Sequence, residues 1–457
     1  MDSYPIDGIL PKLRDAVQNN ASIILRAPPG AGKTTRVPLA LLGVIPPEKG
    51  RIVMLEPRRI AAVSAARWMA QSLGEHVGDT VGYAIRFDTK KSDKTRLEVV
   101  TEGILTRRIQ SDPDLKDTAL VIFDEFHERS IHADLALALC LDIRRALRQD
   151  LKIMVMSATL DYGPIASLLG NAPVIASAGK AFPVQERYLE DKTGPLPMRI
   201  ARAVRIALRE TEGDVLVFLP GSGEIRSCIK ELHESPDVND NRIAIHALYG
   251  DLPFEEQERA ILPSKEHRKI VLATNVAETS LTIEGVRVVI DSGLTRMLRY
   301  DPSTGMNRLV TVPVSRSSAE QRKGRAGRLG PGVCYRLYGS HDLRSMLPFT
   351  QPEMLVADLA SLVLELAVWG VKDPSELSWL DAPPAAAWDS SLRLLHDLGA
   401  LDASGSATAA GRAMARLPLH PRLSRLMMRA HELGCLQLGA DLAAILTERD
   451  IFRHGAA

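Results

Sequence analysis

Cysteine is scarce in this chain: the 457 residues include four, at positions 140, 228, 334 and 435, and no two form a Cys-x-x-Cys pair. This spacing argues against a disulfide framework and a zinc module, and it indicates free thiols in a reducing compartment. No apolar run reaches membrane-spanning length, and residues 1–20 contain no apolar signal-peptide core. We therefore expect a cytoplasmic protein with no membrane partner.

Aromatic residues and net charge are also low, at 4% and +1. The near-neutral charge neither supports nor excludes a nucleic-acid partner, because local basic clusters decide such binding. Hydrophobic residues at 45% and charged residues at 25% are ordinary values for a folded protein and exclude disorder over most of the chain. The length predicts three or four domains.

Two series of short, β-rich apolar runs alternate with helix-length segments. The first series occupies residues 1–178, and the second occupies residues 179–340. Such alternation predicts an α/β fold with two parallel sheets flanked by helices and a cleft between the two domains. The runs of the first series are 52–55, 97–100, 120–123 and 152–156, and those of the second are 214–219, 243–245, 269–273, 286–290 and 333–337.

Two other parts of the chain have sequence patterns that differ from this alternation. A turn signal between strand formers predicts a protruding β-hairpin at about 296–312. After residue 341 the β signals fade and apolar residues recur at helical spacing, so we expect helical segments over 341–400 and 401–457, divided near an Ala/Gly/Ser-rich stretch.

A glycine-rich segment, Ala-Pro-Pro-Gly-Ala-Gly-Lys-Thr-Thr at 27–35, follows the apolar run at 22–25. Between a strand and a helix, such a loop surrounds phosphates with backbone N–H groups. Lys33 is expected to contact the β- and γ-phosphates, and the Thr34 hydroxyl to bind Mg²⁺. The residues assigned to the nucleotide are Gly30, Ala31, Gly32, Lys33, Thr34 and Thr35.

Two adjacent carboxylates, Asp124 and Glu125, end the apolar run at 120–123. Because parallel strands end at the same edge of a sheet, this pair can meet the glycine-rich loop on one Mg²⁺-bound triphosphate. Asp124 is expected to hold Mg²⁺ through water, and Glu125 to deprotonate the attacking water. His127 and His132 are five residues apart rather than four, which excludes a His-Glu-x-x-His zinc site.

A basic segment at 321–328, Gln-Arg-Lys-Gly-Arg-Ala-Gly-Arg, precedes the last strand of the second series. Arg325 and Arg328 are three residues apart, so on one helical turn they would project together towards a γ-phosphate. The alternative is a solvated basic helix or a contact to a nucleic-acid backbone.

Together these segments resemble the DEAH/RHA group of superfamily 2 helicases, and the motif at 124–130, Asp-Glu-Phe-His-Glu-Arg-Ser, resembles the bacterial HrpB-type subgroup. The resemblance covers essentially the whole chain. Further matching segments are 55–59, 101–105, 157–159, 217–221, 273–280 and 321–328.

The resemblance implies two tandem RecA-like P-loop domains and an ATP-dependent helicase acting on single-stranded nucleic acid, with RNA favoured over DNA. In this family, Gln321 positions water, Arg325 and Arg328 act as arginine fingers, and His127 couples the two domains. Further coupling residues are Ser157, Thr159 and Thr279. The residues that would line a single-strand track are Arg58, Arg59, Thr101, Gly103, Thr274 and Asn275.

The group lacks an adenine-reading segment ahead of the loop, and none precedes the run at 22–25 here, so NTPs other than ATP are expected to serve. The resemblance also implies a winged-helix module at 341–400 and the start of a ratchet-like helical domain at 401–457, truncated relative to other members. We expect a monomer.

Three functions remain open on the sequence. The first is a helicase that steps along one strand and unwinds duplexes, and the second is an ATP-gated RNA clamp or ribonucleoprotein remodeller without processive unwinding. The third is a P-loop ATPase acting on a metabolite or protein, which the segments at 101–103 and 157–159 disfavour.

Overall fold

The structure is a computed structural model that describes residues 4–28, 30–177, 179, 182–191, 193–235, 238, 242–264, 266–278, 283–301 and 305–447. Its contacts divide the chain into two units. The first runs up to Leu298 and includes Leu309–Gln351, and the second comprises Arg299–Arg308 and the residues from Pro352 onward.

The first sheet of the first unit has eight strands. They are β1 (Ser22–Arg26), β2 (Arg51–Leu55), β3 (Val81–Ile85), β4 (Asp88–Lys90), β5 (Leu97–Val100), β6 (Thr118–Phe123), β7 (Lys152–Ser157) and β8 (Val174–Ala176). The associated helices are α1 (Leu10–Asn19), α2 (Lys33–Leu41), α3 (Arg59–Ser72), α4 (Glu102–Ser111), α5 (Ile131–Ala146) and α6 (Tyr162–Leu168), with short 3-10 turns at Pro5–Ile9, Pro47–Lys49 and Phe126–Glu128.

The strand order in this sheet is β4-β3-β5-β2-β6-β7-β1-β8, and the described neighbours are parallel except for β3 and β4. The central strands β6 and β7 are apolar along most of their length and buried except at Lys152, as a parallel sheet covered on both faces requires. Because β7 separates β1 from β6, the loops that follow these three strands lie side by side at one edge of the sheet.

The second sheet of the same unit has six parallel strands in the order β11-β12-β10-β13-β16-β9. Its strands are β9 (Val184–Tyr188), β10 (Asp214–Phe218), β11 (Ile243–Leu248), β12 (Arg268–Ala273), β13 (Val286–Asp291) and β16 (Gly332–Arg336). Two further strands, β14 (Leu294–Asp301) and β15 (Met306–Pro313), lie between β13 and β16 in the chain and are not part of this sheet. The helices are α7 (Leu196–Glu210), α8 (Ser222–His233), α9 (Phe254–Ile261), α10 (Arg316–Gly324) and α11 (Ser340–Ser345), with a 3-10 turn at Asn275–Ala277.

Strands β14 and β15 form a separate two-stranded sheet over the residues for which a protruding hairpin is predicted. Residues 302–304, which carry the predicted turn signal, lie outside the described residues. Arg299–Arg308, the distal part of the hairpin, belongs to the second unit. There the Tyr300 N–H donates to the Val356 carbonyl at 2.9 Å, and the Asp358 N–H donates to Asn307 Oδ1 at 2.7 Å.

The rest of the second unit is helical. It contains α12 (Ala360–Trp369), α13 (Ala385–Asp397), α14 (Ala409–Arg416), α15 (Pro421–Glu432) and α16 (Leu436–Thr447), with 3-10 turns at Glu353–Leu355 and Pro374–Glu376. One isolated antiparallel bridge joins Leu401 and Ala407 across the Ala/Gly/Ser-rich turn.

This architecture confirms the predicted fold class of two tandem α/β domains followed by helical segments. The boundaries at 178, 340 and 400 stay predictions. Within the described residues, no helix is both long and apolar enough to cross a membrane.

Candidate nucleotide-binding and hydrolysis site

The glycine-rich loop joins β1 to α2, as predicted. Gly30 and Gly32 have φ values of +82° and +91°, in the left-handed region that favours glycine, and Gly32 is the N-cap of α2. Lys33, Thr34 and Thr35 form the first turn of that helix, where unpaired N–H groups attract anions. The buried Ala31 accepts a hydrogen bond from the Ile6 N–H through its carbonyl, at 3.2 Å, so the N-terminal turn packs on the loop.

The two carboxylates that follow β6 meet this loop. Lys33 Nζ lies 2.5 Å from Glu125 Oε1 and 3.8 Å from Asp124 Oδ1, and the Thr34 hydroxyl donates to Asp124 Oδ2 at 2.6 Å. Lys33, Asp124 and Glu125 are all buried. The structure therefore brings together the predicted phosphate-binding lysine, the predicted Mg²⁺ ligands and the predicted general base.

Burial and the attraction between opposite charges together set the pKa values in this cluster. By itself burial would lower the pKa of Lys33, but Glu125 and Asp124 outweigh it and raise that pKa. Burial raises the pKa of Asp124, which Lys33 opposes and the neighbouring Glu125 reinforces. Lys33 is thus a firmly held cation, facing two carboxylates that compete for it.

Residues from three further segments face the same edge. Gln321 Nε2 donates to the Thr159 hydroxyl at 2.5 Å, which links the second domain to the loop after β7. His127 Nδ1 lies 3.5 Å from Glu125 Oε2. Within the described part of the chain, both ring nitrogens of His127, Ser157 Oγ and Gln321 Oε1 are buried atoms with no hydrogen-bond partner.

Arg325 and Arg328 also reach the site, but not from one helical turn as predicted. Helix α10 ends at Gly324, and both arginines lie in the turn that follows, so their convergence comes from the turn rather than from helical spacing. Arg325 Nε donates to the Glu278 carbonyl at 2.9 Å. The Arg328 guanidinium lies against Gly30, where any Cβ on that glycine would collide with it.

The two guanidiniums are in an unfavourable environment for a cation. Burial lowers the pKa of Arg328 to about 10, although Glu125 opposes the shift. Burial, together with the nearby Arg328, lowers the pKa of Arg325. An additional negative charge beside these arginines would relieve this destabilisation.

The six predicted track residues differ in exposure. Arg59, Gly103 and Asn275 are exposed, whereas Thr101 and Thr274 are half-buried at the starts of α4 and of the turn Asn275–Ala277. Arg58 is engaged with protein groups: its guanidinium donates to Glu128 and to the Asn275 carbonyl. Thr279, a predicted coupling residue, lies outside the described residues.

Three residues that organise this site, Glu128, Ser130 and Glu278, have no role predicted from the sequence. In the first domain, Glu128 pairs with Arg58 and the Ser130 hydroxyl donates to Glu102. In the second, the Glu278 carboxylate accepts hydrogen bonds from Arg322 at 3.0 Å and from the Ser318 hydroxyl at 2.5 Å. Each lies inside a segment that resembles the helicase motifs, so their position in those segments was the available signal. Their partners are 28 to 70 residues away in sequence, and no local pattern specifies such pairs.

The donor set fits Mg²⁺ and a triphosphate. Magnesium in phosphate-transfer sites takes one or two carboxylates together with phosphate oxygens and water, and Asp124 with Thr34 supplies a carboxylate and a hydroxyl. Lys33, Arg325 and Arg328 supply positive charge, and the buried polar atoms without partners match a polar ligand.

Family comparisons match most of the chain. The DEAD/DEAH box helicase family matches residues 11–167, and the helicase conserved C-terminal domain matches residues 198–330. The winged-helix part of the helicase associated domain (HA2) matches residues 391–419, which crosses the predicted boundary at 400.

Two curated relatives match over nearly the whole chain. ATP-dependent RNA helicase HrpB of Escherichia coli (strain K12) is 46% identical over 98% of this chain and 55% of its own length. Probable ATP-dependent RNA helicase DHR2 of Saccharomyces cerevisiae (strain ATCC 204508 / S288c) is 36% identical over 95% of this chain and 60% of its own length. The chain therefore spans little more than half the length of these relatives.

Solved structures agree. A crystal structure of the E. coli DEAH/RHA helicase HrpB is 44% identical, covers 100% of this chain and 57% of its own, and superposes with a TM-score of 0.91. A crystal structure of the E. coli DExH-box NTPase HrpB is 45% identical, covers 99% of this chain and 56% of its own, and has a TM-score of 0.86. These matches and the site geometry show that the chain carries regions similar to the DEAD/DEAH box helicase and helicase C-terminal families, and that it is similar as a whole to the DEAH/RHA helicase HrpB.

Proposed function

We propose that this chain hydrolyses ATP between its two RecA-like domains and uses the reaction to move along single-stranded RNA. The observation that carries the proposal is the convergence of Lys33, Thr34, Asp124 and Glu125 from the first domain with Arg328 from the second. A site completed only when both domains contribute makes hydrolysis depend on how the domains are placed.

The proposed chemistry uses residues of both domains. Glu125 accepts a proton from water as the water oxygen bonds to the γ-phosphorus, and the bond from that phosphorus to the β–γ bridging oxygen breaks. Lys33, Arg325 and Arg328 stabilise the negative charge on the phosphoryl oxygens. Gln321, held by Thr159, orients the water. Asp124 and Thr34 would hold Mg²⁺, which neutralises phosphate charge when bound.

The proposed strand track consists of Arg59, Thr101, Gly103, Thr274 and Asn275. Hydroxyls, exposed backbone and guanidinium groups bind phosphates without reading bases, so the track is expected to be indifferent to sequence. RNA is the proposed substrate because the names of both curated relatives specify RNA. ATP is the proposed nucleotide, with other NTPs accepted, and a cytoplasmic monomer is the proposed state.

The proposal includes duplex unwinding in addition to ATP hydrolysis and movement along RNA. We assign strand separation to the hairpin formed by β14 and β15, whose Arg299, Arg308 and Leu309 are exposed. The test is strand displacement on a tailed RNA duplex with Mg-ATP. A matched variant lacks the turn between the strands but keeps Tyr300 and Asn307, which bind Val356 and Asp358.

The parent should displace the strand only when ATP is hydrolysed, and the variant should lose displacement while keeping ATPase activity and RNA binding. If the variant unwinds as the parent does, the hairpin is not the wedge. If the parent binds RNA in an ATP-dependent way but displaces no strand, the chain is an ATP-gated clamp instead of an unwinding motor.

A further inference from the structure

The segment that follows Glu125 is conformationally constrained. Glu125 and Arg129 have φ values of +49° and +51°, and between them lies the 3-10 turn Phe126–Glu128. Non-glycine residues seldom adopt this left-handed conformation, and their neighbours must hold them in it. One such contact is the buried Arg129 guanidinium, which donates to both carboxylate oxygens of Asp134 at 3.0 and 3.1 Å. The position of Glu128 is therefore tied to that of Glu125.

Glu128 is connected to the second domain through one arginine. Its Oε1 accepts hydrogen bonds from Arg58 Nη2 at 2.9 Å and from Arg58 Nε at 3.2 Å. The same guanidinium donates through Nη1 to the carbonyl of Asn275, which follows β12, at 2.8 Å. We call this chain of contacts, Glu128 to Arg58 to Asn275, the Glu128–Arg58 bridge.

The bridge is built as a charged, mostly buried contact. The side chains of Arg58 and Glu128 are 14% and 25% exposed. Burial would lower the pKa of Arg58, but Glu128 outweighs burial and raises it. Two donors of the guanidinium converge on one carboxylate oxygen, and hydrogen bonds between charged groups are stronger than those between neutral ones.

A second contact ties the same segment to the track. The Ser130 hydroxyl donates to Glu102 Oε1 at 2.6 Å, and Glu102 lies between the predicted track residues Thr101 and Gly103. Ser130 also caps α5 by accepting from the Ala133 N–H at 3.1 Å. One short segment thus contacts the hydrolysis site, two parts of the track and, through Arg58, the other domain.

We propose that Glu128 is a positioning residue that transmits strand binding and domain contact to Glu125 through the Glu128–Arg58 bridge. Arg58 then acts as the link between the domains. The family resemblance implied a different role for it, that of a phosphate ligand in the single-strand track. This inference rests on the proposed RNA-dependent ATPase function.

The test compares ATPase rates with and without single-stranded poly(U) RNA for the parent, Glu128→Ala, Arg58→Ala and the double variant. Glu128→Ala should reduce the ratio of RNA-stimulated to basal rate about tenfold. The double variant should be no worse than either single variant, because removing one partner already breaks the bridge. Glu432→Gln, which removes an exposed ion pair with Arg429, is the matched control and should keep the parental ratio.

Two conservative variants separate this role from a phosphate contact or a folding defect. Arg58→Lys keeps the charge but has one nitrogen in place of the three that reach Glu128 and Asn275, so we expect it to behave as Arg58→Ala does. A phosphate ligand would retain most of its effect as lysine. Glu128→Gln keeps the side-chain size and one acceptor oxygen, and its stimulation ratio should lie between those of the parent and Glu128→Ala.

Additive effects of Arg58→Ala and Glu128→Ala, or a parental stimulation ratio in Glu128→Ala, would overturn the inference while leaving the proposed function intact. A parental activity at Arg58→Lys would overturn it as well. If the parent itself shows no stimulation by RNA, the proposed function falls, and this inference falls with it.

Discussion

At the scale of single residues, the proposed hydrolysis site is a cluster of buried charges in which opposite charges compensate one another. Lys33 balances Asp124 and Glu125, while Arg325 and Arg328 sit beside them with lowered pKa values. Removing one charged member of such a cluster leaves the others without compensation. The choice of substitution therefore decides whether binding or turnover is lost.

Lys33→Ala and Glu125→Gln should separate these two effects. The alanine variant should bind nucleotide more weakly, because the cation that contacts phosphate is gone. Glu125→Gln should keep nucleotide affinity and lower kcat by on the order of 100-fold or more, since the amide cannot accept the proton. Fluorescent-nucleotide titration and steady-state ATPase assays measure both. Parental turnover in Glu125→Gln would remove Glu125 as the base.

The arginine-finger assignment has a control within the same segment. Arg325→Ala should lower kcat by on the order of 1,000-fold with little change in nucleotide affinity, because a finger acts on transition-state charge. Lys323 is equally basic but pairs with Glu186 at 2.9 Å, so Lys323→Ala should keep the parental kcat. Equal losses in both variants would indicate a structural role for the whole segment.

Some residues of this site could be predicted from the sequence and others could not. Lys33, Asp124 and Glu125 were predictable because the carboxylates directly follow β6 and Lys33 ends the glycine-rich loop after β1, and parallel strands place their ends together. The engagement of Arg58 was not predictable, because Glu128 and Asn275 are 70 and 217 residues away from it. Pairing at such distances is decided by the packing of two domains, which no local pattern encodes.

At the scale of elements, buried ion pairs fix how helices attach to the sheets. Glu98 on β5 is fully buried, and it accepts hydrogen bonds from Arg108 of α4 at 2.6 Å and from Lys91 at 3.2 Å. Burial would raise the pKa of Glu98, but Arg108 and Lys91 outweigh burial and lower it. The carboxylate therefore stabilises the fold in its charged form.

Glu98→Gln should reduce the free energy of unfolding by about 2 kcal/mol, the contribution of hydrogen bonds to a charged group. Because the pKa of Glu98 is lowered in the folded state, the stabilisation is present above the ordinary carboxylate pKa and is lost as the pH falls through the lowered value. Urea titrations at neutral and acidic pH should show the difference between parent and variant shrinking in acid. A pH-independent difference would contradict the ion-pair explanation.

Element prediction succeeded where the signal was local. The ten apolar runs named in the sequence all overlap strands, and the turn signal at 301–305 lies where β14 ends and before β15 begins. Helix α10 was the exception, because it ends at Gly324 instead of continuing through Arg328. Beyond the helix end, Arg328 lies against Gly30 of the first domain, and a contact of that kind has no local sequence signal.

At the scale of the whole molecule, hydrolysis is proposed to depend on the contacts between the two RecA-like domains. Gln321 with Thr159, Arg58 with Asn275, and Arg328 with Gly30 are three contacts that join the domains around one site. Each involves a residue proposed for water positioning, the bridge or charge stabilisation. Hydrolysis should therefore respond to anything that changes domain placement, and a strand bound to both domains is the proposed physiological case.

The central measurement is the steady-state ATPase rate of this chain without nucleic acid, with single-stranded RNA and with single-stranded DNA of the same sequence, at one fixed low salt concentration. Salt must be fixed because phosphate contacts weaken steeply as it rises. The account predicts strong stimulation by single strands, with RNA more effective than DNA. A rate indifferent to both strands would contradict the RNA-dependent motor and leave a P-loop ATPase that acts on a metabolite or protein.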